Sequence, residues 1–463
     1  MLAALVLAAT LRASLAYVTL VQDPPGVWWF ADGGKKFLSF SVNHVNNGGL
    51  DDGVGGREAA VCRAATNNSL CGDSLNFAGA LGYAPLFQVT QDKFGSEAAW
   101  AASTVAQLRG YSFNGISGWS HTLAEREAAA QGLYYFHLLD IGTTWPHSHE
   151  GLDLDVWDPA FAAQCAAIAA AQVPQLANDP HLIAWQTDNE PNFAAVGLFK
   201  YLRLYAQGPG GAHALAWLQA RYASLAALNA AWGTAAASWA ALGAALPARN
   251  AAAFAADDAD FVAVVVGRYM NISTAAIRKF DSNHLISGVR FSYNSPQIAA
   301  AAAKHCDFLD QHDYGDLPDL AGLAAMHRAT GKPIVLGEFS FTAADSNMPN
   351  THGARAGRPE RTQTGRTAKY RAYAEAVVRA PFMLGCVARG VFVSLPSLGF
   401  SLSPSPSLDA PPPPPLPPLP LLVDMAGGIR LTNLPRGAGQ TGRIAITESL
   451  ASRGTPTAFS WPQ

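Results

Sequence analysis

HLIAWQTDNEPNF, residues His181 to Phe193, is the stretch whose reading decides the fold of this chain. Leu182, Ile183, Ala184 and Trp185 lead into a polar end, Asp188-Asn189-Glu190, and Pro191 closes the run. A short apolar run bounded by a breaker reads as a buried strand that delivers its acidic residues where it leaves the sheet. A counterpart lies downstream in KPIVLGEFSF, Lys332 to Phe341, where a second buried strand ends in one acid, Glu338. Two carboxylates at the ends of two interior strands can face each other across a pocket.

Outward from these two runs, apolar segments alternate with helical ones. Strands are expected to begin at Phe37, Phe113, Leu133, Leu182, Leu285, Phe308, Ile334 and Phe382, the first running to Val45. Helical spacing fills residues 97–109, 123–131, 159–172, 297–305, 320–330 and 367–379, and Asp158-Pro159 is a cap followed by proline at the first helical position. Eight strand–helix units predict an α/β fold, a (β/α)8 TIM barrel. The interval 193–280 is longer than one crossover and holds helical stretches at 213–232 and 257–280, so a helical insertion is expected after strand four. A doubly wound open sheet competes with the barrel, but no glycine-rich phosphate loop follows the first strand. Gly208-Pro209-Gly210-Gly211 stands between helical regions and reads as a turn.

A chain of 463 residues with 49% hydrophobic and 14% charged residues can bury a large core. Its net charge of −3 argues against nucleic acid and anionic membranes as partners, since both call for basic clusters, and favours a neutral substrate. Residues 1–16 form an apolar segment closed by Ser14-Leu15-Ala16, the pattern of a signal peptide, and imply secretion. The sequons at Asn67 and Asn271 agree with that route. Cys62 and Cys71 could close a small disulfide loop, whereas Cys165, Cys306 and Cys386 read as core thiols. No Cys or His spacing resembles a zinc site, no metal or organic cofactor is expected, and nothing after the leader is long and apolar enough to span a bilayer. The expected division is a leader at 1–16, a barrel at 17–393 and a tail at 394–463.

In a barrel of this kind functional groups gather at the C-terminal strand ends. Glu190 and Glu338 are there the candidate catalytic pair, in an arrangement that suits glycoside hydrolysis: one carboxyl group kept neutral as acid, the other ionised as nucleophile or base. Apolar strand neighbours are expected to raise the Glu190 carboxyl, while donors such as Arg290, His312 or Tyr314 keep Glu338 ionised. Asn43, His44, Trp119 and Asp140 fit a sugar-binding rim, where aromatic faces stack on a pyranose and carboxylates grip its hydroxyls. For each of them an ordinary structural role competes with this one.

Trp185-Gln186-Thr187-Asp188-Asn189-Glu190 resembles the end of strand four in the retaining clan-A glycoside hydrolases, above all the family 42 β-galactosidases. RYASLAALNAAWGT, Arg221 to Thr234, is similar to a second stretch of that family, and IRKFDSNHLISGVRFS, KHCDFLDQHDY and PIVLGEFSFTAADS are similar to family 50 β-agarases. The resemblance implies that Glu190 is the acid/base, Glu338 the nucleophile and Asn189 the residue that binds the sugar 2-hydroxyl. It implies β-galactosidic links, in an agar- or galactan-type polysaccharide or oligosaccharide, as the substrate. Another clan-A specificity, such as a β-mannanase or β-glucanase, and a non-catalytic carbohydrate-binding barrel are the alternatives.

The chain departs from the family after Cys386. An aromatic platform is expected at the exit of strand eight, yet Val387-Ala388-Arg389-Gly390 leads into a Ser/Leu/Pro-rich tail with a near-unbroken proline run at 411–420. Such a segment cannot close a barrel. The expectation is therefore an incomplete eighth strand, an open or strained seam, and a disordered or loosely docked tail, either a proline-rich linker or the translation of an unspliced intron.

Overall fold

The computed structural model describes residues 16–47, 92–142, 155–193, 196–248, 251–292, 295–345, 360–389, 423–424 and 428–429. Residues 1–15 of the leader, the 62–71 cysteine loop, the Asn67 sequon and most of the tail lie outside the described residues. Three antiparallel strands come first: β1 (Thr19–Asp23), β2 (Val27–Asp32) and β3 (Lys35–Phe37). Gly33 and Gly34, both at positive φ, make the tight turn between β2 and β3. Leu38 then separates β3 from β4 (Ser39–Asn43), so the single strand expected from Phe37 to Val45 is divided between two sheets.

The barrel is β4 followed by β5 (Gly115–Ile116), β6 (Tyr134–Leu138), β7 (Leu182–Asn189), β8 (Leu285–Phe291), β9 (Leu309–His312), β10 (Ile334–Phe339) and β11 (Met383–Arg389). These eight are parallel neighbours in chain order and the ring is closed. The expected open seam is not there. β11 pairs with β4 from Gly385↔Ser39 to Arg389↔Asn43, and with β10 on its other side. Gly385 permits the closure: its φ is +124°, and a Cβ on it would stand 2.0 Å from the Ser39 carbonyl oxygen. A barrel strand needs only a short run from one rim to the other, and Val387-Ala388-Arg389 complete it before the proline-rich sequence begins. Beyond it, β12 (Val423–Asp424) pairs antiparallel with β13 (Gly428–Ile429).

Helices α1 (Glu97–Gly110), α2 (Thr122–Ala130) and α3 (Pro159–Leu176) follow β4, β5 and β6. As expected, the Asp158 carboxylate caps α3, accepting from Ala160 N at 2.8 Å. The insertion after β7 consists of α4 (Leu198–Arg203), α5 (Pro209–Arg221), α6 (Leu225–Trp232), a 3-10 turn (Trp239–Ala244) and α7 (Ala252–Arg278). Gly208 to Gly211 is not a free turn: Gly208 is the N-cap and Pro209 to Gly211 open α5, where Gly210 N donates to buried Asp155 at 2.6 Å. α8 (Pro296–Ala302), α9 (Leu320–Thr330) and α10 (Gln363–Arg379) complete the outer ring.

Buried Asp257 on α7 holds the insertion together, accepting from Arg221 Nε at 2.6 Å, Tyr222 Oη at 2.5 Å and Trp232 Nε1 at 2.8 Å. Asn229 accepts from Thr234 Oγ1 and Ala236 N. The Arg221–Thr234 stretch therefore builds the insertion. Cys165, Cys306 and Cys386 are buried free thiols, and Asn271 is exposed on α7.

The lower end of the barrel is apolar. Phe136, Ile183, Phe308, Val335 and Leu384 meet Phe30 and Phe37 of the N-terminal sheet in one buried cluster. Phe30 sets its ring edge against Phe136 and Phe308, and Phe37 stacks on Tyr134 at 4.3 Å. The sheet plugs this end of the barrel. No helix among the described residues is long and apolar enough to cross a membrane.

Candidate active site

The upper ends of the strands carry a polar network under strained turns. Among the described non-glycine residues, positive φ occurs at His44 (60°), Ser112 (67°), Trp119 (57°), Asp140 (49°) and Glu190 (47°). Four of these five sit just past the ends of β4, β5, β6 and β7, and they are the residues read from the sequence as exit positions. Left-handed backbone costs a side-chain-bearing residue about 1–3 kcal/mol and persists where the surroundings over-determine it, commonly at functional sites.

Glu190 is held by its own backbone N–H, which donates to the Arg290 carbonyl at 2.8 Å. Its carboxylate Oε1 lies 2.5 Å from His312 Nδ1. Glu338, on β10, receives the Tyr314 hydroxyl on Oε1 and faces Arg290 Nη2 at 3.5 Å through Oε2. His312 Nδ1 is also 3.5 Å from that second oxygen, so the imidazole stands between the two acids. An oxygen of Glu190, His312 Nδ1 or Nε2 and an oxygen of Glu338 all lie within 4.8 Å of one another. No other His/Cys/Asp/Glu cluster among the described residues is compact enough for a metal ion, and the Arg290 charge beside Glu338 opposes a cation there.

Arg290 organises the network. Wholly buried on β8, it donates from Nη1 to Asn189 Oδ1 at 2.7 Å, and from Nη2 to Asn43 Oδ1 at 3.1 Å and to the Gly337 carbonyl at 2.8 Å. Its guanidinium lies 5.0 Å from the Trp119 ring centre, and Trp119 stacks on His44 at 4.5 Å. With Asn189 Oδ1 held by Arg290, the amide's NH2 group is its remaining end. Asn43 is fully buried and also donates to the Gly337 carbonyl at 2.9 Å, so it lies beneath the rim as a brace for Arg290. Asp140 is half-buried past the end of β6. Asp188 faces the helices instead, accepting from Tyr269 Oη and from Gly142 N.

The Glu190 carboxyl departs from the expectation of a raised value. Burial pushes it up, but the hydrogen bond and the charge of His312 outweigh burial; Glu338 adds upward pressure, Arg290 downward, and the carboxyl ends below its ordinary range. The sequence neighbours of Glu190 are apolar, but the group that decides its state comes from another strand. Asp310 and Gln186, which belong to the same buried network, were not singled out by the sequence reading. Gln186 Nε2 donates to Asp310 Oδ2 at 2.8 Å, and burial pushes the Asp310 carboxyl up against the opposing pull of Arg290 and His312. Only the inward face of a strand could have marked them, and β9 is four residues long.

The profile of glycoside hydrolase family 42, described as beta-galactosidase, matches residues 153–334, a span that takes in Glu190, Arg290, His312 and Tyr314 and ends before Glu338. Beta-agarase A of Vibrio sp. (strain JT0107) is 27% identical over 285 residues, 54% of this chain and 28% of that protein. Beta-agarase B of the same strain is 24% identical over 308 residues, 63% of this chain and 32% of that protein. The chain thus spans about a third of the length of these relatives. Among solved structures, an agarase superposes with a TM-score of 0.64 at 20% identity, covering 82% of this chain and 59% of that one. An exo-beta-agarase gives 0.65 at 18% identity, covering 81% and 59%. The chain resembles the clan-A glycoside hydrolases of families 42 and 50, and it shares their (β/α)8 barrel.

Proposed function

We propose that this chain is a retaining glycoside hydrolase that cleaves β-galactosidic bonds in agar- or galactan-type carbohydrate. The observation that carries the reading is the closeness of Glu190 and Glu338, oxygen to oxygen within 4.8 Å at the C-terminal ends of β7 and β10. Retaining enzymes hold their carboxyl groups about 5–5.5 Å apart, whereas inverting enzymes need about 6.5–9.5 Å to admit a water between them. The galactose preference rests on the names of the relatives.

In this reading Glu338 attacks the anomeric carbon, and the Tyr314 and Arg290 donors on its two oxygens hold it in line and ionised. Glu190 gives a proton to the glycosidic oxygen as that bond breaks. The Glu190–His312 pair holds this proton between its two members, and the 2.5 Å contact lets it pass to the carboxyl as negative charge grows on the leaving oxygen. Once the leaving sugar has gone, Glu190 takes a proton from water, the water oxygen attacks the anomeric carbon, and Glu338 is released as carboxylate. Asn189, steadied by Arg290, donates to the sugar 2-hydroxyl. His44, Trp119 and Asp140 line the approach.

We take residues 17–393 as the catalytic unit and 394–463 as an appended tail. The apolar segment at 1–16 supports export to an extracellular polymer. Reducing-end assays on agarose, porphyran, β-galactan, β-mannan and β-glucan test the proposal, with release from a galactose-containing polymer as the expected result. Turnover of mannan or glucan with none of the galactose polymers would overturn the specificity. Binding of such polymers without turnover would overturn the chemistry.

A further inference from the structure

Asp310 is a buried acid to which the chemistry above gives no task. It lies on β9 with its side chain enclosed, two residues before His312. Gln186 holds one of its oxygens, and Arg290 Nε stands 3.7 Å from that same oxygen. Its other oxygen faces His312 Nε2 at 4.0 Å. Among the described residues Asp310 Oδ1, His312 Nε2 and Arg290 Nε make no hydrogen bond, so three unpartnered polar atoms are gathered in this part of the barrel interior. The room for the acid comes from Gly337, beside Glu338: a Cβ on Gly337 would stand 1.7 Å from Asp310 Oδ1. Burying a carboxylate is costly and seldom adds stability over an apolar residue of similar size, so its presence here points to the groups around it.

We infer that Asp310 is a positioning residue that acts through His312, holding the imidazole against Glu190 so that the Glu190–His312 pair can deliver its proton to the leaving oxygen. His312 is faced by Glu190 from the end of β7, by Glu338 from β10 and by Asp310 on its own strand; Arg290 on β8 is the cation beside the last two. Asp310 Oδ1 facing Nε2 and Glu190 Oε1 at Nδ1 place an acid at each ring nitrogen of His312, as an acid orients a histidine in other catalytic groupings. The inference rests on Glu190 being the acid/base.

Asp310→Asn keeps the shape and removes the charge. On galacto-oligosaccharides kcat is expected to fall about tenfold near neutral pH with KM within about twofold, and the basic limb of the pH profile to move about one unit lower. A dinitrophenyl galactoside, whose leaving group needs no proton, is expected to lose little. An unchanged pH profile, or equal losses on both substrates, would overturn the inference. Carbon-13 NMR of the Asp310 carboxyl and the His312 ring in the unaltered protein gives an answer that needs neither turnover nor a folded variant. A titration inflection common to both signals supports the coupling, and independent inflections contradict it. If the unaltered chain turns over no glycoside, the hydrolase proposal fails while the NMR result still decides the coupling.

Discussion

The two ends of the barrel are built from the same strands and obey opposite rules. At the lower end Phe136, Ile183, Phe308, Val335 and Leu384 close on Phe30 and Phe37, and the Tyr134 hydroxyl donates to Asp32 at 2.8 Å. At the upper end Asn43, Asn189, Glu190, Arg290, Asp310, His312 and Glu338 are as deeply buried, and almost every contact is polar. Apolar packing is non-directional and stabilises in proportion to area. A buried polar network is directional, and its net contribution to stability is small even when it is complete. Substitutions at the lower end should therefore cost stability, and substitutions at the upper end should cost chemistry.

The sharpest break is at Glu338. Glu338→Gln should lower kcat by roughly 10³-fold or more while leaving the thermal transition within a few degrees of the unaltered protein. A large fall in melting temperature would mean that the upper network carries the fold as well. Phe30→Ala is the mirror experiment. Emptying a wholly buried phenylalanine should cost about 3–5 kcal/mol in denaturant unfolding, with kcat per folded molecule within about twofold of the original.

Glu190→Gln should divide substrates, cutting turnover of oligosaccharides about 10²–10⁴-fold while sparing those with good leaving groups. Parallel kinetics on both classes would read this directly, and a uniform loss would deny Glu190 its role as acid. A smaller effect belongs to Asp281, beneath the barrel. Burial pushes its carboxyl up, but the hydrogen bond and charge of His284, with bonds from the Trp185 indole and the Asn283 amide, hold it at about 2, against an ordinary 3.8. A value lowered by folding stabilises the fold above the unfolded value and loses that contribution as pH falls toward the folded one. Asp281→Asn should therefore cost about 2 kcal/mol at neutral pH and flatten the acid-side loss between about pH 4 and pH 2, as read by urea titrations.

Much of the barrel was legible because its signals are local. The run at 320–330 reads as a helix from its own sequence, and α9 has those bounds, with Asp319 capping its start and left-handed Gly331 ending it. The strand that delivers Glu190 was legible because Leu182 to Trp185 form an apolar run that Pro191 closes after the polar residues, and β7 spans Leu182–Asn189. What failed depended on partners distant in sequence. β11 looked unfinished because its last residues were judged by the proline-rich sequence that follows, but their backbone bonds go to β4 at the other end of the chain. Gln186 and Asp310, buried on β7 and β9, gave no sign of their pairing, because which residues of a buried strand face inward is set by register. The sign of the Glu190 shift was missed for the same reason, since His312 is 122 residues away.

The central claim is that the upper end of this barrel is a two-carboxylate site for retaining hydrolysis. Proton NMR of the anomeric signal in the first product released from a β-galactoside tests it most directly. The account predicts that the β-anomer appears first and then mutarotates. The α-anomer appearing first would contradict it, because a water would then have attacked from the face assigned to Glu338.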